Sequence, residues 1–246
     1  MVGDGPAVVL IPGTFSDRRA WHRVLGALSP RFRCVLLDPR GTGATPDPGR
    51  PFTPDDLVDD VLAVMDAAGL DAAHVVGHSL GAVVGLTLAA RHPRRVRRVV
   101  AAAPTLFMDA HLLAVMDHWD ALIRSDLGAD ALHAALIMDA FGRDAFDRLV
   151  PAVLTDMRRR PFPRETLRRY VACDRQQDLR PIAARIDAPV LVVDGEEDAL
   201  PGPRQARAVV EAIPGARLDL IPACGHSPHM ERPATFARIA VGGLGG

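Results

Sequence analysis

Short runs of β-branched and aliphatic residues recur along the first hundred positions, each separated from the next by a longer stretch of helical period. Residues 7–11 (AVVLI), 34–37 (CVLL), 73–76 (AHVV) and 96–103 (VRRVVAAA) are the strand candidates. A run that is apolar at every position buries both faces of its strand, so helices must cover the sheet on each side. The stretches between the runs supply them. One helical stretch lies around 21–28 and another spans 80–91. A third opens at Thr53, placed as an N-cap, with Pro54 at the first helical position and Asp55 and Asp56 in the first turn. It keeps Leu57, Val61, Val64 and Met65 on one face, with Asp56, Asp59, Asp60 and Asp66 mostly outward. The alternation predicts βαβ units on a parallel sheet.

The rhythm breaks at 104–180. That segment is helix-like throughout, with Met108, Leu112, Met116, Trp119, Leu122, Leu132, Leu136, Met138, Phe141 and Phe146 distributed over several helices and no strand candidate. A strand returns within 187–198, followed by a helix near 203–212, a strand at 217–221 and a last helix near 233–241. The expected organisation is an α/β core of residues 1–103 and 181–246, carrying a helical insertion (lid) at 104–180. The glycine-rich tail, residues 242–246, is expected to fray.

Composition narrows the function classes. At 246 residues the chain can bury a sizeable core, and its formal net charge of −1 favours neither nucleic acid nor an anionic membrane. Cys34, Cys173 and Cys224 have no metal-like spacing and read as reduced thiols. No signal peptide is expected from the first residues, and no apolar run approaches the roughly 20 residues of a membrane span. A cytoplasmic location is expected.

The segment from 73 to 90, AHVVGHSLGAVVGLTLAA, places Ser79 between Gly77 and Gly81 at a strand–helix junction. A nucleophilic serine needs its hydroxyl held clear of the backbone with N–H groups free nearby. A sharp strand–turn–helix corner does both and has room only for glycines at its flanks. The helix N-terminus it aims at the site favours negative charge. Serine also needs a base, and the base needs an acid to fix its tautomer. Of nine histidines, His226 lies in a glycine-containing loop directly after the last strand, preceded by Gly225, where open α/β sheets place their ligands. His229, three residues on, competes and reads equally as a surface residue. For the acid, Asp198 lies just beyond the penultimate strand. Asp194, reading as part of the strand, and Glu196 and Glu197, reading as solvated turn charges, are its rivals.

The order Ser79, Asp198, His226 is that of the α/β-hydrolase triad, and the chain resembles that superfamily over nearly its whole length outside the insertion. The branch it resembles comprises small bacterial serine esterases, enol-lactonases and cofactor-free haloperoxidase-like enzymes. DPRGTGAT (38–45) is similar to that branch's D-x-R-G-x-G-x-S loop, with Thr45 where serine is usual. VLVVDGEEDALPGP (190–203) resembles its strand-G-x-x-D acid loop, which puts Asp198 at the acid's position, and CGHSPHMERP (224–233) resembles its G-H-x-x-x-x-E-x-P loop. The resemblance implies an oxyanion hole made by the backbone N–H groups of Thr14 and Leu80. It also implies a shortened sheet of about six strands, since the family's first two antiparallel strands have no counterpart. Pro12-Gly13 stands where the family has His-Gly, which leaves two backbone donors in place but removes the side chain that anchors the loop. Ser79 itself separates the chain from the dehalogenase and epoxide-hydrolase branches, which carry aspartate there.

The expected function is a serine hydrolase of a carboxylic ester or lactone with an apolar acyl or aromatic group, working through an acyl-enzyme. It needs no cofactor and no metal, and its partner is a small-molecule substrate. Thioester hydrolysis, C–C bond hydrolysis and cofactor-free lyase chemistry use the same triad and stay open, as does a non-catalytic ligand-binding protein; the sequence also leaves a homo-oligomer open. In the resembled family such insertions cover the serine and set the substrate. Phe15, Met108, Met116, Trp119, Met138 and Phe141 are accordingly the expected pocket residues. The arginines of 91–100 read as a solvated helix end, and His111, His118 and His133 with Asp109, Asp117 and Asp120 as amphipathic surface.

Overall fold

The structure is a computed structural model that describes residues 1–160 and 162–245. Six strands form one parallel sheet: β1 (Ala7–Ile11), β2 (Arg33–Leu36), β3 (Ala73–His78), β4 (Val96–Ala102), β5 (Val190–Gly195) and β6 (Arg217–Ile221), in the order β2-β1-β3-β4-β5-β6. The expected strand count and parallel sense both hold. Before β1 the chain makes only an isolated antiparallel bridge, Val2 with Cys34. The central strands β3 and β5 are buried at every residue, as strands covered on both faces must be.

Among the described residues eleven α-helices accompany the sheet. The core ones are α1 (His22–Leu28), α2 (Pro54–Ala67), α3 (Leu80–Arg91), α9 (Gly202–Ala212), α10 (Pro228–Glu231) and α11 (Pro233–Leu244). Between β4 and β5 lie α4 (Ala110–Arg124), α5 (Ala129–Ala140), α6 (Ala145–Arg148), α7 (Val150–Arg159) and α8 (Arg164–Asp174). No strand interrupts that segment among the described residues; Phe107 and Asp178 join its two ends by a single antiparallel bridge. One core layer packs α2, α3 and α9 on one face of the sheet, with Val9, Val75, Leu86, Val192 and Val209 at its centre. The other packs α1 and α11 on the opposite face around Leu10, Trp21, Val100, Val193 and Phe236. A third apolar cluster, Leu112, Met116, Trp119, Ile123, Leu132, Val171 and Leu200, joins α4, α5 and α8 and reaches the acid-bearing loop after β5.

Local signals act as read. Thr53 caps α2 through a reciprocal capping box with Asp56: its side chain accepts from the Asp56 N–H while the Asp56 carboxylate accepts from the Thr53 N–H. The glycine-rich end behaves differently from its expectation. α11 runs through Leu244, which is buried, and a Cβ on Gly243 would stand 2.6 Å from Leu191. Gly243 allows the helix to approach the sheet rather than fray; Gly246 lies outside the described residues. Of the arginines of 91–100, two are paired at the surface, Arg91 with Asp55 (2.7 Å) and Arg95 with Asp66 (2.5 Å).

The strand order reverses between β1 and β3. From β1 the chain steps outward to β2, then returns to the other side of β1 to form β3. A crevice opens at the carboxyl ends of such a strand pair, and ligands bind there in open α/β sheets. The segments leaving β1 and β3 carry Thr14 and Ser79.

Candidate active site

Ser79 sits in the one-residue corner between β3 and α3 with φ 53° and ψ −121°, a positive φ that a non-glycine residue adopts at a cost of order 1–3 kcal/mol. Its N–H is held by the Ala102 carbonyl at 2.8 Å. The flanking glycines are required by space: a Cβ on Gly77 would lie 2.2 Å from the Gly81 carbonyl oxygen, and one on Gly81 2.2 Å from that of Ile11. Leu80 is the first residue of α3, so the helix itself provides no acceptor for its N–H. Phe15, directly after Thr14, is also at positive φ (57°), which turns the chain sharply after β1.

His226 and Asp198 meet. Nδ1 of the imidazole lies 2.9 Å from Asp198 Oδ2, and Asp198 Oδ1 accepts from the Leu200 N–H at 2.8 Å, so both carboxylate oxygens are held. The two loops that carry them are joined by backbone bonds, Glu196 N–H to the Ile221 carbonyl (3.0 Å) and Glu197 N–H to the Cys224 carbonyl (2.8 Å). Burial opposes ionisation of Asp198, but the charge and hydrogen bond of His226, with further hydrogen bonds from Asp194 and Leu200, hold its pKa below the ordinary carboxylate value. The neighbouring Asp194, in β5 and fully buried, is pushed the other way. Burial first, then the Asp198 charge, raises it well above the usual range, so it stands as a neutral acid hydrogen-bonded to Asp198. Glu196 and Glu197 are exposed.

Glu231 fixes the histidine loop. Its buried carboxylate accepts the N–H of Gly225 (3.0 and 3.1 Å) and of Ser227 (3.1 Å), on either side of His226, and that of Gly142 (3.0 Å) from the end of α5. His78 Nε2–H donates to the His226 carbonyl at 2.9 Å, and burial pushes this histidine down to about 3, which keeps it neutral. His229 is a core residue rather than the surface residue that its position also allowed. It is packed between the tilted rings of Trp21 (centroids 4.7 Å apart) and His78 (4.4 Å).

Ser79 and His226 line one cavity of about 630 Å³, a size suited to a small-molecule ligand. Among the described residues no hydrogen bond joins the Ser79 hydroxyl to the imidazole. Thr14, Phe15, Met108, Met116, Trp119 and Phe141 all face this cavity. Met138 does not: it is 67% exposed, because α5 turns Leu136, Ile137 and Ala140 inward and carries residue 138 on the opposite side. Sequence reading missed Leu136, Ile137 and Met157, and it missed Asp174, at the end of α8, which also lines the cavity.

The insertion's acidic residues are engaged elsewhere, and His111 and His118 are exposed. Asp109 caps α4 through the Leu112 N–H, Asp117 pairs with Arg175 at 2.5 Å, and Asp120 pairs with Arg124. Among the described residues no group of three or more His, Cys, Asp or Glu side chains is placed to hold a metal ion, and no helix is long and apolar enough to cross a membrane. The three cysteines are free and buried. Burial raises the Cys224 thiol well above its ordinary value, which disfavours the thiolate of a second nucleophile.

Comparison with known proteins agrees with this architecture. Pyrrolizixenacetamide deacetylase of Xenorhabdus hominickii is 30% identical over 244 residues, 95% of this chain and 89% of that one. The crystal structure of the enol-lactonase from Burkholderia xenovorans LB400 superposes with a TM-score of 0.89 at 31% identity, covering 99% of this chain and 93% of that chain. A hydrolase from Pseudomonas aeruginosa PA01 superposes with a TM-score of 0.90 at 30% identity over 99% and 92% of the two chains. The family model for the alpha/beta hydrolase fold matches residues 6–233. The chain therefore belongs to the α/β-hydrolase family, and is a hydrolase by kinship as well as by fold.

Proposed function

We propose that this hydrolase cleaves carboxylic esters or lactones through an acyl-enzyme on Ser79. The observation that carries the reading is the 2.9 Å contact of His226 Nδ1 with Asp198, which leaves Nε2 as the free nitrogen of an imidazole that shares a cavity with the strained Ser79. In the proposed cycle, His226 Nε2 takes the hydroxyl proton as Ser79 Oγ attacks the substrate carbonyl carbon. Asp198 fixes the tautomer that permits this and stabilises the imidazolium that results. The negative charge that gathers on the carbonyl oxygen is held by the N–H groups of Thr14 and Leu80, each worth on the order of 10²–10³ in rate. His226 returns the proton to the leaving oxygen, then activates a water that releases the acyl group and restores Ser79.

The insertion, residues 104–180, serves as a lid on the core of residues 1–103 and 181–246. Its α4, α5 and α7 contribute apolar side chains to the cavity wall, which favours an apolar acyl or aromatic group. The names of two relatives, a deacetylase and an enol-lactonase, each denote cleavage at a carbonyl carbon and support the same reading. The test is Ser79→Ala assayed against phenyl esters of increasing chain length. The expected result is a loss of about 10⁴-fold or more in kcat with an unchanged circular dichroism spectrum and unfolding midpoint. Turnover at the parent rate overturns the reading.

A further inference from the structure

The cavity floor beside Thr14 holds a carboxyl group that the triad does not use. Asp174 ends α8, is 4% exposed, and accepts the Thr14 hydroxyl on both oxygens, at 2.9 Å on Oδ1 and 2.8 Å on Oδ2. Gln177 Nε2 donates to Oδ1 at 2.6 Å. The one Thr14 O–H, shared between the two oxygens, and the Gln177 amide are the side-chain donors on Asp174 among the described residues. What the carboxylate lacks is a cation. The other two acids on the cavity wall, Asp17 and Asp156, are each closed on an arginine, Arg19 and Arg160. No ion pair reaches Asp174 among the described residues. The charge that acts on it from across the cavity is that of His226, whose Nδ1 is already committed to Asp198. Its titratable neighbours on α8, Tyr170 and Cys173, are held neutral by burial.

An uncompensated carboxylate at this depth costs several kcal/mol, which is relieved by a proton or by an opposite charge. We propose that Asp174 is the specificity-determining residue of this site and that it selects substrates carrying a cationic nitrogen close to the scissile carbonyl, as in amino-acyl esters. Thr14 links the two functions: its backbone is part of the proposed oxyanion hole and its hydroxyl orients Asp174, so the cation is read beside the reacting carbonyl. Met116, Trp119, Ile137 and Leu149 form an apolar part of the wall that takes the rest of the substrate; Arg19, Arg23 and Arg160 also line the cavity, Arg19 and Arg160 being paired with Asp17 and Asp156. Without a ligand, burial raises the Asp174 carboxyl to about 7, so below that pH a bound cation must displace its proton. This inference rests on the hydrolase reading above but fails separately from it.

The test compares the phenyl esters of β-alanine and butyric acid, which differ by an ammonium in place of a methyl group. The parent enzyme is expected to prefer the β-alanine ester by about tenfold or more in kcat/KM, and Asp174→Asn, which retains the bonds to Thr14 and Gln177, to reduce that ratio to within about threefold. A purely structural role for Asp174 would lower both rates and leave the ratio in place, and that overturns the proposal, as does a parent preference for butyrate. A second measurement needs no turnover. In Ser79→Ala, calorimetry in two buffers of different ionisation heat is expected to show proton release when the β-alanine ester binds near pH 6 and none for the butyrate ester. Equal binding of both esters with no proton release overturns the proposal. Hydrolysis of butyrate without the amine preference leaves the hydrolase reading intact and removes only this inference. Failure to turn over either ester, with the amine preference still seen in binding, removes the hydrolase reading instead.

Discussion

At the scale of single residues, two adjacent acids behind His226 are assigned opposite protonation states. Asp198 carries the charge, and Asp194 is a neutral acid beneath it. Asn is a good mimic of a neutral acid and a poor mimic of a carboxylate. Asp194→Asn is therefore expected to keep kcat within about tenfold of the parent, while Asp198→Asn lowers it by about 10⁴-fold by releasing the imidazole tautomer. Steady-state kinetics on one phenyl ester separates the two; equal losses would return the acid's role to both residues. Asp174 makes a second prediction through linkage. In the unfolded chain a carboxyl ionises near pH 4, but in the fold this one keeps its proton to about 7. Across that window the unfolded state binds fewer protons, so this residue's contribution makes stability fall as pH rises, by at most about 4 kcal/mol in total. Asp174→Asn removes the effect. It is expected to match the parent's stability near pH 4 and exceed it above pH 7 in urea unfolding; a constant difference across pH contradicts the assignment.

At the scale of elements, the histidine loop depends on Glu231. Glu231→Gln places an amide against backbone N–H groups at Gly225 and Ser227 and is expected to cost about 1–3 kcal/mol of stability. It should also cut kcat/KM by about tenfold or more, since both groups flank His226; thermal unfolding and kinetics on the same preparation check it. The glutamate was visible beforehand only as a letter in the G-H-x-x-x-x-E-x-P pattern, whereas its role emerges from three N–H groups converging on one carboxylate. The same contrast runs through the chain. The strands, the α2 cap and the Ser79 corner were legible because backbone geometry at each demands particular residue types within a few positions. Asp174 was not, because its meaning depends on Thr14, 160 residues away. The phase of α5 is also hidden: a helix apolar nearly all round, IMDA within ALHAALIMDA, does not announce which side faces inward, and Met138 lies on the outer side rather than the expected inner one. The order of the glycine-rich end is not legible in the sequence because a glycine serves equally for looseness and for close approach, and only the neighbour, Leu191 against Gly243, decides which.

At the scale of the whole molecule, one sheet end gathers the contributions of β1, β3, β5 and β6, and α4, α5 and α7 contribute side chains to the cavity wall there. The cavity wall formed by the insertion should set the length of acyl chain accepted. Met116→Ala, inside that wall, is expected to shift the preferred phenyl ester toward longer chains, and Met138→Ala, on the outer side of α5, to leave the chain-length profile unchanged. A profile that moves with residue 138 and not with 116 would contradict the assignment of the wall. Activation of the Ser79 hydroxyl by His226 underlies every step of the proposed cycle. The most direct measurement is intact-protein mass spectrometry after exposure to a fluorophosphonate, with the modified residue mapped by fragmentation. One adduct per chain is expected, on Ser79, abolished in Ser79→Ala and strongly slowed in His226→Ala. Labelling at another residue, or labelling of Ser79 at an undiminished rate without His226, would contradict it.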